Sequence, residues 1–418
     1  MTLPNTRKEA LEKLERFAPQ TGSQYALERN YDRGPSSREN VSLLSAAIQR
    51  RLISEKEVLQ AVSHLHSLEA SEKFSQEVLW RSYWKSWLEL RPIIWVEYQL
   101  SLRNLKRRDF PRYAEALSGK TGIECFDFWR KELRETGYLH NHARMWLASI
   151  WLFTLALPWE LGAHLFEEEL CDFDSASNTL SWRWVAGLHT PGKQYVATSK
   201  NIHTFTEGRF FPDGVLNENP SPVSHSPIAF QSPIERFVPF TPSPAKTGLL
   251  IHSEDFSVET LDLGNFRPST VAILDPNLIS FRGQKSPRVH QYNQLALKDA
   301  FARSSAIFAS PVELFTEGTL IEKVQEWIQR HQLQEVVLMK PWQGYFKDNW
   351  ETLEPLWESL SIKCRTLRRD YDRELAGKAR SGFFSFKSEL KPLWHRLKNG
   401  NKKETVWEVL ADSKPAHT

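Results

Sequence analysis

Between Phe211 and Lys246 the chain carries eight prolines, from Pro212 to Pro244, set among serines and asparagines. Proline has no backbone N–H and its ring clashes with the preceding helical turn, so no helix can run through such a stretch. It reads as an extended connector over residues 215–246 that divides the chain into parts with different hydrophobic periods. Before it, apolar residues recur at helical spacing over Arg7–Phe17, Asn40–Gln49, Glu55–Leu65, Ser75–Trp87, Asp127–Glu135, Ala143–Leu157 and Glu160–Cys171. That pattern predicts an all-α domain over residues 1–214. After it, the short apolar runs Gly248–His252, Val271–Leu274, Ala306–Phe308 and Glu335–Met339 alternate with helical patterns such as Gln291–Arg303 and Leu320–His331. Alternating strand and helix predicts a parallel sheet with helices on both faces over residues 247–418. A chain of 418 residues has the length for two such cores.

Composition excludes several chemistries. Net charge is only +3, so any nucleic-acid site must be a local patch. The three cysteines, Cys125, Cys171 and Cys364, lie far apart without CxxC spacing, which argues against a disulfide scaffold or a metal–thiolate site and for a reducing cytoplasm. The N-terminus is charged and amphipathic without an apolar signal core. The longest apolar run, Met145–Trp159, is too short to span a bilayer and contains Pro158. No GxGxxG follows the first strand, and Gly119-Lys120-Thr121 fails as a phosphate loop because Ala114 stands where its first glycine belongs. His140-Asn141-His142 lacks a third metal ligand at helical spacing and reads as local hydrogen bonding. The cations Arg103, Lys106, Arg107, Arg108 and Arg112 read as a solvated face, or as a phosphate track if an aromatic pocket lies beside them.

The chemistry concentrates between Thr121 and Gly187. Asp172, Asp174 and Asn178 follow a helix, where short polar side chains cap and turn the chain. The same residues with Arg144 also suit a flavin pocket: a carboxylate accepts the ring N–H, an arginine neutralises charge, and an amide faces the redox-active edge. Trp182 and Trp184 flank Arg183, and Trp159 follows a proline; they are core, or an electron path if a flavin is bound.

Taken in order, Thr121–Gly137, LHNHARM, PWELG, CDFDSASN and WRWVAG, with Glu77-Val78-Leu79-Trp80-Arg81 upstream, resemble the flavin-binding domain of the DNA photolyase and cryptochrome family. The resemblance implies FAD, with Tyr25, Ser42 and Ser45 at its phosphates, Asn141, Arg144, Asp172 and Asp174 around its folded length, and Asn178 at flavin N5. It places Glu77, Trp80, Arg81, Asn141, His142, Met145 and Trp184 at a flipped pyrimidine dimer. Glu77 and Asn178 then act in catalysis, and Trp159 and Trp182 are the inner members of an electron chain. The implied activity is light-driven splitting of cyclobutane pyrimidine dimers in DNA by a monomer without membrane attachment; the alternative is a cryptochrome-like blue-light receptor. Five positions depart from the family pattern. Val41 replaces a threonine of the phosphate loop, His142 an arginine, Leu180-Ser181 a glycine pair, and Lys106 the outermost tryptophan, for which Trp129, Trp146 and Trp151 are substitutes. Family members carry a Rossmann-like α/β antenna domain before the flavin domain, whereas here the α/β pattern follows it. That order implies a circular permutation. A second chromophore, of folate or deazaflavin type, is left open.

Overall fold

A computed structural model of the protein describes residues 2–190, 192–221, 232–279, 281, 283–400 and 404–410. The helices that build the N-terminal half include α1 (Arg7–Phe17), α2 (Glu55–Leu65), α3 (Glu72–Glu89), α4 (Ile93–Asn104), α5 (Glu124–Thr136), α6 (Asn141–Ser149), α7 (Trp159–Glu169) and α8 (Ser175–Val185). Local chemistry fixes their starts. At α2 the Ser54 side chain and Glu57 form a reciprocal capping box, and at α8 the Asp174 carboxylate accepts the Ser177 N–H at 2.8 Å. The helix predicted over Asn40–Gln49 is confined to Ser45–Gln49, because Leu43 takes a left-handed φ of 56° that no helix can include. The helix predicted over Ala143–Leu157 stops at Ser149 and gives way to a wide π turn over Ile150–Thr154.

In the C-terminal half the strands are β1 (Arg236–Pro239), β2 (Thr247–Ile251), β3 (Leu261–Asp262), β4 (Thr270–Leu274), β5 (Val312–Phe315), β6 (Glu335–Met339), β7 (Lys363–Arg369) and β8 (Glu404–Leu410). They form one sheet in the order β1-β8-β7-β6-β2-β4-β5, with β3 attached to β8. The run from β5 to β7 is parallel; β8 and β1 are antiparallel additions at one edge. The expected parallel sheet is therefore a mixed one. Ala306–Phe308 is not a strand: it lies at the end of α9 (Pro287–Ile307), since a three-residue apolar run carries no period of its own, and the strand begins at Val312. Nor is 215–246 only a connector, because β1 lies within it with its proline at the sheet edge. Residues 222–231 of that stretch, with Pro222 and Pro227, lie outside the described residues.

The two halves share an interior. Leu249, Ile251, Val271, Ile273, Val337 and Met339 point from one sheet face into the same cluster as Leu59 and Val78 of the helical half. Their neighbours Leu250, Ala272, Leu274, Val336 and Leu338 face the other way, onto α10 (Leu320–His331) and the segment that follows β6. Alternate residues thus bury on opposite faces, which is why these strands read as continuous apolar runs. Two further helices, α11 (Phe383–Phe386) and α12 (Leu390–Asn399), pack back onto α3. No helix among the described residues is long and apolar enough to cross a membrane.

Candidate functional site

A cavity of about 700 Å³ opens in the helical half, within the size range of cofactor pockets. One wall is α3, which carries Glu77, Trp80 and Arg81; α6 supplies Asn141, His142, Arg144 and Met145. The Asp172–Asp174 turn with Asn178, Trp182 and Trp184 of α8 closes it, opposite Tyr25 and the Val41–Ser45 loop. Every site residue expected from the sequence lines this cavity except Trp159.

The polar groups fall into two sets. In the first, Arg144 Nη2 donates to Asp172 Oδ2 at 2.7 Å and Arg144 Nε to the Leu139 carbonyl at 2.9 Å. Asn178 spends its amide N–H on the Ala163 carbonyl at 2.9 Å, which leaves Oδ1 as its acceptor. Two buried atoms, Asp172 Oδ1 and Trp182 Nε1, have no hydrogen-bond partner among the described residues. A buried acceptor and donor on one cavity wall are costly unless a ligand satisfies them. A flavin, which offers ring N–H and carbonyl groups together, fits this donor set. In the second, Asp174 lies 3.3 Å from Arg81 Nη2 and 3.6 Å from Lys85 Nζ. Burial works against its ionisation, but these two cations outweigh it and hold the carboxyl at about 2.

At the mouth, Glu77 accepts hydrogen bonds from the Tyr25 hydroxyl and from Arg29 Nη1. Tyr25 therefore meets Glu77 as well as lining the cavity beside Ser42 and Ser45. Trp80 is stacked face to face on Phe383 at 3.6 Å and 8°. Trp184 stacks with Tyr195 at 5.7 Å, and Asn141 reaches the Met145 sulfur at 3.8 Å. His142 stacks on Trp146 at 4.4 Å and bonds the Asn30 carbonyl at 2.8 Å. His140 caps α6, its Nδ1 accepting the His142 N–H at 3.2 Å; burial depresses its pKa and keeps the ring neutral enough to accept.

Away from the cavity, Trp159 packs against Tyr98 at 5.1 Å beneath the Arg183 guanidinium. The rings that meet Trp182 are Phe166 at 5.2 Å and Trp151 at 6.2 Å, and Trp151 in turn meets Tyr113 at 5.9 Å. The cations Arg103, Lys106, Arg107 and Arg108 are exposed and do not line the cavity. Sequence reasoning missed Arg29, Lys85 and Phe383. Lys85 had a signal: Glu77, Arg81 and Lys85 recur every fourth residue and share one face of α3. Phe383 had none, since only the tertiary fold brings it to Trp80.

Residues 74–212 match the family model of the FAD binding domain of DNA photolyase. The chain is similar to the deoxyribodipyrimidine photo-lyase of Salmonella typhimurium, 27% identical over 238 residues that make up 54% of this chain and 49% of that protein. It is similar to cryptochrome DASH of Idiomarina loihiensis, 33% identical over 36% of this chain and 33% of that protein. Among solved structures, a bacterial class III photolyase from Agrobacterium tumefaciens aligns with 26% identity and a TM-score of 0.42, over 48% of this chain and 42% of that one. The chain thus spans about half, or less, of the length of these curated relatives.

Proposed function

Through residues 74–212 this chain belongs to the DNA photolyase and cryptochrome family, and on that premise we propose that it splits cyclobutane pyrimidine dimers in DNA by light-driven electron transfer. The observation that carries the reading is that one cavity is lined both by a flavin-type polar set, Arg144–Asp172 with Asn178, and by an acid and two large aromatic rings, Glu77 with Trp80 and Trp184. FAD, bound and reduced, supplies the light-activated electron. The protein does the rest by position. Arg144 and Asp172 orient the ring, and Asn178 presents an uncharged acceptor beside it. Bases that leave the helix stack against the faces of Trp80 and Trp184 that Phe383 and Tyr195 do not cover, and Asn141 and Met145 border their path. Glu77 supplies a carboxylate for hydrogen bonds to the damaged bases, which requires it to loosen from Tyr25 and Arg29.

That requirement favours a second reading. With Glu77 held by two partners, the cavity also suits a blue-light receptor that binds no lesion, and cryptochrome DASH is among the relatives. We read the position of the α/β part, after the flavin-binding part, as a circular permutation, with 1–214 and 247–418 as the rearranged units. Reduced protein incubated with a thymine-dimer oligonucleotide should lose dimers under blue light and not in the dark. Equal dimer counts in both arms would reject repair and leave the receptor.

A further inference from the structure

The C-terminal half reaches the rim of the cavity. Phe383 lies on Trp80, the Tyr83 hydroxyl donates to the Ser381 carbonyl at 3.0 Å, and Arg91 donates to the Ala379 and Arg380 carbonyls at 3.1 and 2.7 Å. These contacts, with buried Phe383 and Phe386, fix the turn that carries the next ring outward: Phe384 is 83% exposed. A large aromatic ring this exposed on a firmly anchored turn is an unpartnered surface. Its surroundings carry an excess of positive charge: Lys378, Lys387 and Arg396 pair with Glu389, Glu72 and Glu374, while Arg380, Lys391 and Lys398 have no salt bridge among the described residues. From Lys378 to Lys398 the chain has six lysines and arginines against a single acid, Glu389. On α12 the apolar stripe Leu390, Leu393, Trp394 and Leu397 is buried, so Lys391, His395 and Lys398 face outward together. Lys387 pairs with Glu72 at 2.5 Å, which brings this segment beside exposed Lys73 at the start of α3, one turn from Glu77.

We propose that Lys378–Lys398 is a DNA contact surface supplied by the sheet-bearing half. Its cations sit on phosphates flanking the lesion, and Phe384 stacks on the base that loses its neighbour when a dimer enters the cavity. Positive charge matches a polyanion, and an exposed apolar ring next to the one that covers Trp80 matches an exposed base face, so the occupant is the DNA strand rather than an apolar protein surface. The inference rests on the reading of the cavity as a lesion pocket.

The test uses the full flavin-loaded chain and fluorescence anisotropy at several salt concentrations, with undamaged and dimer-containing oligonucleotides. Neutralising Arg380, Lys391 and Lys398 together to glutamine should lower the slope of log affinity against log salt by about 2 to 3 on both DNAs. Phe384→Ala should weaken dimer-containing DNA by about tenfold or more, with the salt slope kept. Flavin absorbance confirms that each variant is intact. If the wild type prefers dimer DNA and both variants match it, the surface is rejected and the lesion pocket stands. If the wild type shows no preference for dimer DNA, the lesion pocket fails and this inference fails with it.

Discussion

His189 sits just beyond α8 among Trp84, Trp87 and Tyr83, with ring centroids at 4.9, 4.8 and 6.3 Å. Its Nδ1 has no hydrogen-bond partner among the described residues, so an added proton there would be buried and unpaired. Burial, helped by Arg183 and Arg91, lowers its pKa from 6.5 to about 4. The unfolded chain therefore takes up a proton near 6.5 and the folded chain only near 4. Stability attached to this residue is complete above 6.5 and is lost as pH falls toward 4, by up to about 3 kcal/mol. Urea midpoints measured across that window should fall less steeply with acid for His189→Phe, which keeps an aromatic ring and cannot titrate. Parallel curves for the two proteins would remove His189 as the cause.

At the scale of helices and strands, α7 and α8 approach so closely that a Cβ at Gly162 would lie 2.3 Å from the Trp182 ring. A real side chain cannot occupy that space, so Gly162→Ala must push Trp182 toward the cavity it lines. Overpacking of this kind destabilises by about 1–3 kcal/mol. The variant should also purify with less bound flavin, read from visible absorbance against protein; unchanged loading would mean that the helices separate instead. Elements like these differ in how legible they were. Helices α1, α2 and α10 and strand β6 stand where periodicity puts them, because their apolar faces are uninterrupted and two of them open on a capping box. Strand β7, KCRTLRR, was invisible to a hydrophobic pattern because, Leu367 apart, the residues it buries are arginines: Arg365 pairs with Glu335, Arg368 with Glu89, and Arg369 with Asp255. The cavity's floor was legible as spaced motifs, since Arg144, Asp172 and Asn178 lie within one short stretch. Its rim was not, since Arg29 and Phe383 arrive from 48 residues before and far beyond the residues they touch.

Across the whole molecule, the seam between the halves is a chain of alternating buried charges that ends in the cavity. Asp372 of the C-terminal half holds Arg51 through two bonds of 2.6 Å; Arg51 Nε reaches Glu55 at 3.2 Å. Glu55 accepts from Arg81 at 3.0 Å, and Arg81 lies 3.3 Å from Asp174. Arg51 also meets Asp255, which Arg369 grips, so the sheet contributes at two points. At the β2–β6 neighbourhood, where strand order reverses and α/β proteins place ligands, Trp342 lies under Arg368 and near Lys85, leaving about 10 Å³. Trp342, with Lys85 of the helical half against it, thus fills the crevice of the sheet, and acids of the C-terminal half steady the charges of the cavity. Removing one member of a buried ion network leaves its partner uncompensated and costs about 3–5 kcal/mol. Asp372→Ala should lose stability on that scale and release flavin more readily, although the residue lies outside the cavity. A chain ended after Lys246 loses Asp372 and Asp255 together and exposes the sheet-facing side of the shared core. Such a truncation should be recovered unfolded or without flavin. A soluble 1–246 fragment that melts cooperatively with flavin bound would show instead that the helical half holds its own charges in place, and that the network joins two units each stable alone.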